Sequence, residues 1–202
     1  MPTAYPSRPC TASSRGFTLL ELLIVVLIIS ILVSAGSMSI TQSIQSQRLS
    51  SSATRLAGNL SAAAIQSVRE NRTLEVHFLS LPSVFKNDKN DLQVRAAQLF
   101  SIDPVTGKTA PIRELWQFDT GIIMLAGAPN IFSNVLSQST VSGFSGGYSF
   151  RPNGSTDLGK AAADRWCLTL INERDLAKYK GNLPPDYRTL VINASTGEVR
   201  VY

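Results

Sequence analysis

Two hydrophobic rhythms divide the first third of the chain. From Phe17 to about Ile40 apolar residues are almost continuous, and Leu19 to Val33 is aliphatic apart from Glu21 and Ser30. From Thr41 to Arg72 the apolar positions thin to one stripe, Leu49, Ala53, Leu56, Leu60, Ala64 and either Ser67 or Val68, at spacings of three and four. The first rhythm predicts a helix that is apolar on all sides. The second predicts a one-sided amphipathic helix whose opposite face carries Gln45, Gln47, Arg48, Ser51, Arg55 and Asn59. Run together from Phe17 to about Asn71, they predict one helix of about 80 Å at 1.5 Å per residue.

After Thr73 the period changes to that of strands. Leu74–Phe78, Leu92–Ile102, Ile112–Phe118, Gly121–Leu125, Tyr148–Phe150, Trp166–Asn172 and Thr189–Asn193 read as strands. A last strand, Glu198–Tyr202, follows the turn at Ala194-Ser195-Thr196-Gly197. Turn chemistry at Asp103-Pro104-Val105-Thr106-Gly107 and Arg151-Pro152-Asn153-Gly154 separates them, and short connections imply antiparallel pairing. Asn130–Leu136 reads as a short helix, and Lys86–Asp91 and Asn172–Pro185 read as exposed loops. The expectation is an α+β chain in four parts. Residues 1–16 form a basic leader, 17–40 a transmembrane helix, 41–72 its amphipathic continuation, and 73–202 a globular antiparallel β domain on which the helix packs.

The apolar segment is long enough for a bilayer, which needs about 20 residues in a helix. A buried helix of a soluble domain and a cleaved secretory signal ending near Ala35-Gly36-Ser37 are the plainer readings. Against the second, the apolar run is too long and Glu21 sits inside it. A carboxylate in that position is costly, because a charge loses its hydration in hydrocarbon. Arg8 and Arg15 hold the leader on the cytoplasmic side, since positive flanks resist translocation.

Composition excludes several functions. The formal net charge is +5, and removing Arg8 and Arg15 with the leader leaves 17 basic residues (19 less two) against 14 acidic ones. A surplus that small is no evidence for nucleic-acid binding, and a nucleic-acid partner is not expected. Of the two cysteines, Cys10 lies in the leader and Cys167 stands alone in the remainder, so no intrachain disulfide is expected. No cofactor or metal is expected either. The only histidine, His77, alternates with Val76 and Phe78 as a sheet residue does. Asp88, Asn90 and Asp91 lack the glycine and bidentate glutamate of a calcium loop. Gly143-Phe144-Ser145-Gly146-Gly147 spells a nucleophile elbow, but no histidine follows Ser145 and no parallel α/β pattern surrounds it, so no catalytic residue is expected. The Asn-x-Ser/Thr triplets at Asn59, Asn71, Asn153 and Asn193 read as chance matches, and Trp116 and Trp166 as core aromatics.

The run Arg15-Gly16-Phe17-Thr18-Leu19-Leu20-Glu21-Leu22-Leu23-Ile24-Val25-Val26 resembles the prepilin signature of type IV pilins and type II secretion pseudopilins. The resemblance implies that a membrane peptidase cuts between Gly16 and Phe17 and methylates the new amino terminus at Phe17. It further implies that Glu21 pairs with the freed ammonium of a neighbouring subunit and sets register in a fibre. Phe150-Arg151-Pro152-Asn153-Gly154, with the terminal strand-Thr-Gly-strand hairpin, resembles the H-type minor pseudopilins and T-type minor pilins.

A closer likeness is to the Verru_Chthon cassette protein D family. It rests on Asn71-Arg72-Thr73-Leu74-Glu75-Val76, Ala97-Gln98-Leu99-Phe100-Ser101-Ile102-Asp103, Thr120-Gly121-Ile122-Ile123 and Phe150–Leu158. Together these likenesses imply a non-enzymatic minor pseudopilin that joins or primes a periplasmic fibre. Its partners would be the prepilin peptidase/methyltransferase, other pseudopilins and an inner-membrane assembly platform. It would be a single-pass protein of the bacterial inner membrane, amino terminus cytoplasmic and C-terminal domain periplasmic. The alternatives are a pilus-tip receptor that touches DNA or a surface through Arg188 and Arg200, and a tethered hydrolase built on Ser145.

Overall fold

A computed structural model describes residues 17–83, 91–103, 106–126, 133–138, 144–159, 166–180 and 182–202, with the side chains of 35–41 and 137–138 left aside. The leader, the Lys86–Asn90 stretch with Asp88, and Pro104 and Val105 of the expected turn lie outside the described residues. The chain divides into two compact units, Met1–Gln42 and Ser43–Tyr202.

One helix, α1 (Leu19–Arg69), contributes to both units. Thr18 caps its start, accepting the Glu21 N–H on its hydroxyl oxygen at 3.2 Å. The helix ends three residues short of the expected Arg72. Asn71 turns left-handed (φ 50°), and its N–H bonds the Val68 carbonyl at 3.3 Å. The Arg72 N–H bonds the Ser67 carbonyl at 3.1 Å. Two reversed bonds of this kind satisfy carbonyls that the helix end would otherwise orphan.

In the second unit, nine strands form one antiparallel sheet: β1 (Leu74–Pro82), β2 (Leu92–Ile102), β3 (Thr109–Pro111), β4 (Trp116–Gln117), β5 (Ile122–Met124), β6 (Gly146–Phe150), β7 (Trp166–Asn172), β8 (Tyr187–Ile192) and β9 (Val199–Val201). The spatial order is β6-β1-β2-β5-β7-β8-β9, and β3 and β4 also pair with β2. The strand expected over Ile112–Phe118 is interrupted: only Trp116 and Gln117 of it pair, opposite Ala97 and Ala96. Of the short helix expected over Asn130–Leu136, residues 130–132 lie outside the described residues, and a 3-10 turn runs over Asn134–Gln138.

The core lies between one sheet face and the stripe of α1 from Leu49 onward. Leu49, Ala53 and Leu60 are fully buried there with Leu74, Val76, Phe78, Leu99, Phe150, Leu168 and Leu190. Fully burying a leucine stabilises by about 1.5–3 kcal/mol, so this face holds the unit together. Polar ties fix the helix on the sheet. The Ser52 hydroxyl donates to Asp119 Oδ2 while the Asp119 N–H donates to the Ser52 oxygen, each at 2.9 Å. Ser67 donates to the Arg151 carbonyl at 3.2 Å.

The segment expected as an exposed loop over Asn172–Pro185 instead opens with a short helix, α2 (Glu173–Tyr179). Leu176 and Leu183 cover a second cluster of Ile123, Leu125 and Ile171. These residues alternate in β5 and β7 with those of the main core, so they occupy the opposite sheet face. A β-bulge interrupts the β1–β2 ladder. The register shifts so that Leu79 pairs with Ala96 and Ser80 with Val94, which leaves Arg95 as the extra residue. Its guanidinium meets the Glu173 carboxylate twice, at 2.7 and 2.9 Å, and both residues are buried. Ser83 donates to the same carboxylate. Burial alone raises the Glu173 carboxyl, but the hydrogen bonds from Arg95 and Ser83 and the charge of Arg95 outweigh it, leaving Glu173 below its ordinary value.

Candidate functional site

The head of α1 is built from residues whose surroundings are unusual for a folded chain. Phe17 is 78% exposed, and every large apolar side chain from Leu19 to Val33 is exposed by 46% or more. Exposure runs around all sides of the helix, so no face of this stretch is covered among the described residues. Its hydroxyls are satisfied within the helix: Ser30 donates to the Val26 carbonyl at 2.7 Å and Ser34 to the Ile31 carbonyl at 3.0 Å. That back-bonding removes the polar cost of serine in an apolar setting. Ser37 and Ser39 have side chains outside the described residues.

Glu21 lies in the first turn, exposed. Thr18-x-x-Glu21 is the capping pattern of a helix start, a signal present in the sequence that the hydrophobic rhythms do not register. A carboxylate there also faces the positive end of the helix dipole, worth roughly 0.3–1 kcal/mol at an exposed site. Glu21 therefore has a role inside its own chain. Gly16 lies outside the described residues.

The other nominated residues have ordinary structural roles. The Ser145 hydroxyl bonds that of Ser80, and residues 146–150 continue as a strand where an elbow requires a helix. Gly143 is outside the described residues. The glycines of that motif are steric: a Cβ on Gly147 would stand 2.5 Å from the Val76 carbonyl oxygen, and one on Gly146 2.5 Å from the Leu136 Cα. His77 is buried, its Nε2 3.0 Å from Glu75, between the rings of Phe100 and Phe144. Arg188 bonds Ser50 and Asp186, and Arg200 bonds Glu198. Burial pushes the half-buried Cys167 thiol up, away from nucleophilic reactivity. Asn153 and Asn193 use their side-chain oxygens to close turns. Trp166 is buried in the core, and Trp116 packs half-buried against it. Among the described residues no group of histidine, cysteine, aspartate and glutamate could hold a metal.

Among the described residues no helix is long and apolar enough to cross a membrane. The described apolar side chains end at Ser34, so the outer part of the expected 17–40 span lies beyond them.

Residues 11–37 match the family described as the prokaryotic N-terminal methylation motif. That motif stands at the head of a long helix, and an antiparallel sheet follows it. A solved structure, the type IV minor pilin FimU of Pseudomonas aeruginosa, aligns with 77% of this chain and 89% of its own at 14% identity and a TM-score of 0.46. At that level the likeness says nothing of function. No curated protein matches the chain.

Proposed function

We propose that the chain is a minor pseudopilin, cut between Gly16 and Phe17, methylated at Phe17, and anchored in the inner membrane by residues 17–40. From there it enters or primes a short periplasmic fibre of a type II secretion or type IV pilus-like system. The observation that carries this reading is the all-round exposure of the Leu19–Val33 helix beside a single carboxylate, Glu21. Such a surface is satisfied only by lipid tails or by other apolar helices. Peptidase cleavage would place an ammonium at Phe17, four residues before Glu21. Moving from lipid into a packed fibre strips water from that carboxylate, and a neighbour's ammonium offsets the loss. Breaking a buried pair by removing one partner costs about 3–5 kcal/mol.

Glu21→Gln keeps a polar residue at the third helical position and removes the charge. In cells carrying the assembly system, cysteine cross-linking between copies should fall to background for Glu21→Gln while membrane insertion is unchanged. Undiminished cross-linking would refute the pairing.

A further inference from the structure

Within the second unit, a groove of about 770 Å³ runs between α1 and residues 112–118. Ser52, Asn59 and Gln66 line its helix side, and Trp116 and Gln117 of β4 line the other. We propose that this groove takes an extended peptide segment of another protein, which adds as a strand to the free edge of β4.

The strand register leaves that edge free. Trp116 and Gln117 pair with Ala97 and Ala96. The Phe118 N–H donates to the Arg95 carbonyl at 2.9 Å, so Phe118, and by alternation Trp116, bond toward β2. Gln117 falls between them, and its N–H and carbonyl point away from β2. Asp119 follows the same alternation, and its outward N–H is the one that Ser52 of α1 accepts. The outward edge of β4 therefore faces the helix across the groove. Ahead of β4 the chain has left the ladder, and the N–H groups of Arg113, Glu114 and Leu115 find no acceptor among the described residues. Unpaired backbone groups along a strand edge are a template for another strand.

Two bridges close the ends of the groove. At one end Ser52 and Arg55 hold Asp119, the guanidinium at 3.0 Å. At the other, Arg113 donates to the Gln66 side-chain oxygen at 3.2 Å. Ser52 to Gln66 covers about 21 Å of helix, and Arg113 to Asp119 about 20 Å where extended. The walls thus run side by side over the length of about six residues of strand. Between the bridges the Asn59 side-chain amide has no partner among the described residues, and an amide both donates to and accepts from a peptide backbone. Half-buried Leu115 and Trp116 add apolar surface for alternate side chains of the guest. Arg113 meets only a neutral group, so a guest carboxylate beside it is favoured. Nothing in this groove depends on cleavage or anchoring of the helix head.

The test uses the full chain in neutral detergent micelles, with the Trp116 indole N–H followed by NMR. The probes are blocked peptides of about six residues that alternate threonine and valine, with glutamate or glutamine at a central position. The expected result is a saturable shift of the indole, with a roughly threefold preference for the glutamate peptide that Arg113→Gln erases. Gln117→Pro removes the outward N–H and no ladder bond, and should weaken binding about fivefold. A fully N-methylated glutamate peptide, which has no backbone donors, should not bind; it tests strand addition on the parent chain even if the proline variant fails to fold. A shift that survives N-methylation, or one unchanged in a folded Gln117→Pro, would overturn strand addition. No saturable shift with either blocked peptide at millimolar concentration would overturn the site. A saturable shift with a chitin trisaccharide and none with the peptides would make the groove a sugar site and overturn the peptide claim.

Discussion

The two halves of α1 share one backbone geometry and opposite fates. Leu27 in the first half is 58% exposed, and Leu60 in the second is fully buried. Nothing in local helix propensity separates them, since leucine is a strong helix former in both places. What differs is whether the chain supplies a partner. The second half has a stripe at spacings of three and four, and the sheet covers it. The first half is apolar on every side, and no single sheet could cover it. An all-round apolar helix is a request for surroundings that one subunit cannot meet, and this is why the functional reading falls on the head of the helix rather than on the folded body.

The sharpest way to break that contrast is to empty the sheet of its buried charge. Arg95→Ala leaves Glu173 buried without its counter-charge, and should destabilise the second unit by about 3–5 kcal/mol in chemical denaturation. The double change Arg95→Met/Glu173→Leu should recover most of that loss. Next, Leu60→Ala should cost about 2–5 kcal/mol in the same experiment, because it opens a cavity under the helix. Leu27→Ala should move the unfolding of that unit by less than about 0.5 kcal/mol, as changes away from a packed core do. If both leucines cost the same, the distinction between the halves is wrong.

A pH titration sharpens the picture further. Glu173 is depressed below its ordinary value of 4.5 in the folded state. Its contribution is therefore complete above about 4.5 and is lost as pH falls through the lower folded value. Unfolding midpoints should decline below about pH 4.5 in the parent chain, and decline less steeply in Arg95→Met/Glu173→Leu. The smallest expected effect is at Gly58. A Cβ there meets nothing within 4 Å. Gly58→Ala should stabilise the second unit by about 0.5–1 kcal/mol, visible as a raised melting temperature. A loss of stability would mean that this exposed face of the helix is already occupied.

Much of this was legible from residue order. The helix expected from Phe17 begins two residues later, at Leu19, where Thr18 caps it, and β2 runs over Leu92–Ile102 as expected. The terminal hairpin follows from Asn193 to Gly197 between two β-branched runs. Other features depended on distant contacts. Glu173-Arg174-Asp175 reads as a polar loop because α2 is only two turns long and docks mainly through Leu176. Arg95 looks like an outward strand residue until the bulge turns it toward Glu173. Ile112–Phe118 has the composition of a strand, but only Trp116 and Gln117 stay in the ladder. For the sites, the cleavage motif is contiguous and therefore readable. The groove between α1 and residues 112–118 exists only once helix and sheet have packed together.

The central claim is that residues 17–40 begin life behind a leader and end it as a processed anchor. Intact-mass spectrometry of the chain recovered from membranes of a host with a prepilin peptidase tests this most directly. The account predicts a species beginning at Phe17 and carrying one added methyl group. A membrane-bound species that keeps the residues before Phe17, in a host that processes its own prepilins, would contradict it.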